Sequence, residues 1–402
     1  MSNRRRPLMT PPPGLALPVR RRSVLRGMSA GAVTLGAGGL LSACGVESAS
    51  QTESSCTSED LSAEEQQVVW SNWPAYIDPT QQDDSTLGTF EDRTGITVDY
   101  TDDVNDNSDF YAKVRNQLGA CESTGRDMFT LTDWMAAKMI GLGWLQELDK
   151  SNLPNVEANL IDSLRSPSWD PERKYSVPWQ SGLTGIAYNA DLVSEVGSFE
   201  DLLTRSELKG KITLLSEMPD TMLFMLLLVG ADPEDFSDDE WGQALDRLTE
   251  VKDSGQIRQF TGNDYRQDLA QGNIAACEAW SGDVIQLQFD NPAIKFVAPE
   301  EGLALWSDNS LVPNLATHKA NAEKLMDYYY DPRVAAELVA WVNYICPVQG
   351  AQEAMTKIAP GLVDNVLIFP DDQLLSQTWD FMALSPDQEA EYQEDFAQVI
   401  GA

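Results

Sequence analysis

Apolar and polar positions recur along this chain in two periods, and the periods take turns. QVVWSN (67–72) reads as a short strand, and TLGTFEDRTG (86–95) as a helix stopped by Gly95. ITVDYT (96–101) is a second strand, SDFYAKVRNQLGA (108–120) a helix, DMFTLT (127–132) a third strand and WMAAKMIGLG (134–143) the helix after it. This β-α-β-α-β-α opening predicts an α/β lobe with a largely parallel sheet. LTGIAYN (183–189) is a strand that can cross to a second lobe. KITLLS (211–216) and PDTMLFMLLLVG (219–230) follow as strand and helix, with Pro219 in the first helical turn. DDEWGQALDRLTEVKDSG (238–255) is an amphipathic helix, and IAACEAW (274–280) is strand-like, with a helix starting at Ser281. AEKLMDYYYDPRVAAELVAWVNY (322–344) reads as two helices broken at Asp331-Pro332. There is no internal repeat and no membrane-spanning run.

Length and charge sharpen this picture. At 402 residues the chain exceeds one ordinary core, so two lobes are the default. It carries 63 acidic against 28 basic residues, a net charge of −35. Its first 43 residues hold seven Arg and no acid, so the remainder stands at −42. Such a surface repels nucleic acid and anionic membrane and draws cations towards any cleft.

The N-terminus reads as an address. Arg20-Arg21-Arg22-Ser23-Val24-Leu25-Arg26 precedes a small-residue apolar run, the pattern of a twin-arginine export signal over 1–43. Leu41-Ser42-Ala43-Cys44 has the form of a bacterial lipobox, which predicts acylation of Cys44 and a lipid anchor at the outer face of the membrane. Residues 44–65, Ser-rich and acidic, then form a flexible tether. Four further cysteines, Cys56, Cys121, Cys277 and Cys346, suit an oxidising compartment and allow three disulfide connectivities. The preferred one is Cys56–Cys121 with Cys277–Cys346, each pair lying within one region of the chain. Nothing has metal-ligand spacing, and the one histidine, His318, is expected on the surface at a helix start.

Candidate chemistry gathers at two tryptophan–carboxylate pairs, Trp280 with Asp283 and Trp306 with Asp308. An indole face covers methylenes and attracts a cation, while a carboxylate accepts its N–H donors. Either pair alone fits ordinary core and capping; the repetition points to a site for a flexible organic cation. The loops after predicted strands add Asn72-Trp73-Pro74-Ala75-Tyr76, then Thr132-Asp133-Trp134, then Glu217 and Asp220 at a helix start.

SNWPAYID, TGITVDY, YAKVRNQL, YSVPWQSGLTGIAYN, WSGD, LWSDNSLVP and NYICPVQGAQEAM occur in that order. In these stretches the chain resembles, from about Val68 to its end, the polyamine-binding proteins of bacterial ABC transporters, the spermidine/putrescine periplasmic-binding family. The resemblance implies an α/β, two-lobed, type II periplasmic-binding clamp, with 66–186 and 309–350 in lobe 1 and 187–308 and 351–402 in lobe 2. It implies an exported, monomeric binding protein, not an enzyme, with no cofactor or metal, serving an ABC permease. Its ligand set falls on Trp73, Tyr76, Thr132, Trp134, Glu217, Asp220, Trp280, Asp283, Trp306, Asp308 and Tyr344. Three positions depart from the family pattern: Pro74, Asp133 and Trp379-Asp380.

Two other readings compete, one from another class and one that keeps the binding class and changes the ligand. Glu217 and Asp308 across a Trp-lined cleft could serve a secreted glycoside hydrolase, although no nucleophile motif or catalytic His accompanies them. A binding protein for a sugar or compatible solute would also use Trp faces.

Overall fold

The computed structural model describes residues 56–80 and 85–401. The signal region, Cys44 and most of the expected tether lie outside these residues. Three βα units come first: β1 (Gln67–Ser71), α1 (Thr86–Thr94), β2 (Thr97–Thr101), α2 (Asn107–Gly119), β3 (Met128–Thr132) and α3 (Asp133–Gly141). Ser85 caps α1 by accepting from the Gly88 amide, and Gly95, at φ +73°, ends it. After the short α4 (Pro154–Asn159), the long strand β4 (Ser176–Asn189) runs buried throughout its length.

The second half comprises α5 (Phe199–Thr204), β5 (Ile212–Leu215), α6 (Met218–Val229), α7 (Asp238–Asp253) and β6 (Ile257–Thr261). It continues with α8 (Tyr265–Gln271), β7 (Ala276–Trp280), α9 (Ser281–Asp290) and β8 (Ile294–Val297). Strand β9 (Leu303–Leu311) then returns, followed by α10 (Lys319–Tyr328), α11 (Pro332–Val342), α12 (Ala351–Ile358), α13 (Asp372–Leu375), β10 (Thr378–Trp379) and α14 (Pro386–Ile400).

The strands order as β2-β1-β3-β9-β4-β7-β5-β6, with β10 beside β9 and β8 beside β4. β1 is parallel to β2 and β3, and β5 is parallel to β6 and β7. Between these parallel halves run β9 and β4, antiparallel to each other and to β3 and β7 respectively. Two long strands thus belong to both halves, the architecture of a two-lobed clamp. One apolar cluster, with Trp70, Phe110, Phe129 and Val339, fills the first lobe and extends to Trp280 at the junction. A second, around Phe199, Leu214, Phe224 and Trp241, is capped by Tyr392 and Phe396 of α14.

Three sequence expectations change here. Cys56–Cys121 is a disulfide, but Cys277 and Cys346 are buried free thiols. Cys277 pairs in register with Ala187 of β4, whereas Ile345, beside Cys346, bridges to Ser181. Six residues of strand separate those positions by roughly 20 Å, while a disulfide needs Cα atoms within about 7 Å. Residues 56–65, assigned to the tether, are packed: Leu61 N donates to Thr317 O, and Ser62 is buried. His318 is not on the surface; it lies between Asp127 (2.9 Å) and Glu65 (3.0 Å). Burial lowers its affinity for a proton, but the two carboxylates outweigh this and its pKa is raised. Ala351 and Met355 of α12 join the same apolar cluster as Val339 of α11.

Candidate functional site

The register between the two shared strands builds the site. β9 places Asp308 opposite Thr132, the last residue of β3, and the Thr132 hydroxyl donates to Asp308 Oδ1 at 2.8 Å. Two residues earlier on the same face, Trp306 lies opposite Gly182 of β4. A Cβ at Gly182 would stand 2.3 Å from the indole, so only glycine lets this ring lie flat on the strand. Trp306 Nε1 donates to Thr184 Oγ1 at 3.0 Å, and the Thr184 hydroxyl in turn donates to Asp220.

From the second lobe, β7 ends at Trp280, whose Nε1 reaches Asp220 Oδ1 at 3.4 Å. Asp220 and Glu217 stand at the start of α6, where the helix dipole and free amides favour negative charge. Five rings complete the walls. Trp73 meets Trp280 at 5.7 Å between centroids, Trp280 meets Trp306 at 6.2 Å, Trp306 meets Tyr344 at 5.7 Å, and Tyr344 meets Tyr76 at 4.8 Å. The cleft is lined by these five rings with Pro74, Thr132, Asn263, Glu217, Asp220 and Asp308.

Nine of the eleven sequence-predicted residues therefore line one cleft. Trp134 and Asp283 do not. Trp134 is half-buried at the start of α3 and packs on the first lobe's core. Asp283 is buried behind the wall with both oxygens engaged. Its Oδ1 accepts from Arg266 Nη1 and the Tyr344 hydroxyl, both at 2.7 Å. Its Oδ2 accepts from Asn263 Nδ2 at 2.8 Å and the Tyr265 hydroxyl at 2.9 Å. The Trp280–Asp283 pair read from sequence is thus replaced by Trp280 with Asp220.

The lining holds three carboxylates and no basic side chain. Burial pushes Asp308 up to about 7; the Thr132 hydroxyl pulls it back, and the Asp133 and Asp220 charges add to the rise. Asp220 is pushed up to about 6, again by burial, against the bonds from Thr184 and Trp280. Glu217 is raised well above the carboxylate range by burial and by Asp106, and its Oε2 is buried without a hydrogen-bond partner. Just outside the lining, Asp133 is pushed up to about 7 by burial, with Asp380 adding to the effect of the lost solvent. Buried Glu278, behind Asp220, is pushed up to about 8 by burial and by that neighbour's charge. Proximity of like charges in a dry cleft favours protonation unless a cation is supplied.

Three contributors were not singled out from sequence. Thr184 and Glu278 sit mid-strand, in positions that resemble plain core. Asn263 follows β6, whose sequence IRQFT alternates too weakly to announce a strand. Among the described residues no cluster of His, Cys, Asp and Glu could hold a metal ion.

Comparison with known proteins agrees with this geometry. The family described as bacterial extracellular solute-binding protein matches residues 86–363. The spermidine/putrescine-binding periplasmic protein 1 of Haemophilus influenzae is 27% identical, over 84% of this chain and 89% of its own. The putrescine-binding periplasmic protein PotF of Escherichia coli is 30% identical, over 77% of this chain and 85% of its own. A solved structure from Listeria monocytogenes, ascribed to spermidine/putrescine ABC transport, superposes with a TM-score of 0.72 at 25% identity, covering 83% of this chain and 98% of its own. Its relatives include polyamine-binding proteins, and the chain belongs to the bacterial extracellular solute-binding proteins, a family of binding proteins and not of enzymes.

Proposed function

We propose that this protein captures a small organic polycation, putrescine or spermidine by the names of its relatives, and delivers it to an ABC permease. One observation carries the reading: three carboxylates and no base line an aromatic cleft between the lobes. Ammonium groups would settle on Asp308, Asp220 and the free oxygen of Glu217, with the methylenes between Trp73, Trp280, Trp306 and Tyr344. A neutral sugar would leave these carboxylates buried without a counter-charge, which favours a cation.

Ligand contacts from both lobes favour the closed form by their sum. Titration calorimetry against putrescine, spermidine, spermine, betaine and maltose tests the reading. Binding of the polyamines alone, with a smaller radius of gyration in X-ray scattering, supports it; heat from maltose or betaine alone sinks it.

The protein is exported and held as a monomer at the outer face of the membrane by lipid on Cys44. Cys56, the first of the described residues, is pinned to Cys121 in the first lobe. Cys44→Ala tests the anchor: the variant should fold and leave the membrane fraction, and retention there after signal cleavage contradicts lipidation.

A further inference from the structure

Three consecutive residues ahead of and within the first turn of α2 lie along the seam between the lobes. Asn105 O accepts from Asn263 N at 3.2 Å, and Asn105 Nδ2 donates to Asp264 at 3.2 Å. Here the backbones approach so closely that a Cβ on Gly262 would lie 2.2 Å from Asn105 O. Asp106 accepts from the Ser216 hydroxyl at 2.5 Å while its other oxygen caps α2. Asn107 is the third, and it alone of the three bonds to Glu217 and Thr132 of the cleft lining.

Its contacts form one chain across the lobes. Glu217 Oε1 accepts from Asn107 N at 2.6 Å and from Asn107 Nδ2 at 3.0 Å. The same Nδ2 donates to Thr132 Oγ1 at 2.8 Å, and Asn107 Oδ1 accepts from Thr132 N at 3.1 Å. Because Thr132 Oγ1 accepts from Asn107, its single proton is directed to Asp308, 2.8 Å away. Glu217 meanwhile has one oxygen held by the opposite lobe and the other buried and unpartnered at the cleft. The amide of Asn107 is itself fully buried, so water does not substitute for these bonds.

We infer that Asn107 is the positioning residue that couples cation capture to lobe closure, holding Glu217 of the second lobe and Thr132–Asp308 of the first in one hydrogen-bonded unit. Only the closed form brings α2 to Glu217, so the free Glu217 oxygen is aimed by the contact that closure makes. A cation on that oxygen strengthens the unit, and the unit slows reopening. The inference rests on the proposed polycation reading and adds to it the residue through which the ligand is retained.

The experiment compares wild type, Asn107→Ala, Asn107→Asp and Ser216→Ala by stopped-flow with putrescine and spermidine, with thermal melting and X-ray scattering alongside. Ser216→Ala removes a seam hydrogen bond without touching Glu217 or Thr132, so it reports loosening of the seam alone. Asn107→Ala should raise the dissociation rate about tenfold, the lower end for hydrogen bonds to a charged group, with the association rate nearly unchanged. Asn107→Asp should open the ligand-free protein further, because it sets a second carboxylate against Glu217, and its affinity deficit relative to wild type at the same pH should shrink as pH falls and the new pair shares a proton. Equal dissociation rates in Asn107→Ala and Ser216→Ala, or unchanged dissociation in Asn107→Ala, overturn the inference. If wild type binds neither polyamine, it is the polycation reading that fails, and the variants are not needed to show it.

Discussion

Asp283 and Asp308 are both buried acids two or three residues from a tryptophan, and they do opposite things. Asp283 accepts four hydrogen bonds, one from the guanidinium of Arg266, and is shut behind Tyr344. Asp308 accepts from Thr132, has no cation near it, and is pushed up to about 7 by burial. Burial alone therefore does not mark a ligand group. Asp283 has its charge met inside the protein and serves the framework; Asp308, left without a counter-charge in the cleft, is the group we propose receives the ligand's cation.

The largest effect that separates the two is on stability. Asp283→Asn leaves the mostly buried Arg266 without its partner and should cost about 3 kcal/mol, the lower end for breaking a buried ion pair. Chemical denaturation measures it. Asp308→Asn should cost no stability, and a comparable loss from both substitutions breaks the contrast.

Affinity reverses the order. Asp308→Asn should weaken polyamine binding by about 1.5–3 kcal/mol, roughly ten- to a hundredfold. Trp280→Ala and Trp306→Ala should each lose a cation–π contribution of about 0.5–2 kcal/mol besides the cover over methylenes. Calorimetry on the purified variants checks both figures.

A pH series sharpens the same contrast. Cation binding favours the ionised form, so affinity should fall as pH drops through about 7 and then 6, where Asp308 and Asp220 take up protons. In the ligand-free protein the sign is opposite. The folded-state pKa values of these carboxylates are raised, so their contribution to stability is full below the unfolded value of about 3.9 and is lost as pH rises through 6 and 7. The polyamine-induced rise in melting temperature should accordingly be larger at pH 8 than at pH 5.5. A shift independent of pH contradicts the assignment of unpaired acids to the cleft.

Much of this was legible in the residues. The period-two rule puts Trp306 and Asp308 on one face, and the structure keeps them there because β9 is a strand through both. Trp73, Tyr76, Glu217 and Asp220 were reachable because the segments that follow strands converge at the carboxyl ends of an α/β sheet. The fate of Asp283 was not legible. Arg266 lies 17 residues away, on a helix after a weakly patterned strand, and nothing in the spacing brings its guanidinium to α9. The Cys277–Cys346 pairing failed for the same reason. Nearness in sequence says little about register along β4, and there the two positions are far apart. His318 illustrates the limit from the other side: a polar helix start reads as surface until Asp127 and the segment at Glu65 close over it.

The central claim is that the cation is held by the cleft carboxylate and not by the general field of an acidic protein. The most direct measurement is a titration of Asp308→Asn against a double variant in exposed acids of α7 and α12, Asp253→Asn with Glu353→Gln, each at low and moderate salt. The account predicts a large loss in Asp308→Asn that largely survives added salt, and only a small, salt-sensitive loss in the double variant. Equal losses in both, vanishing together as salt is raised, would contradict it.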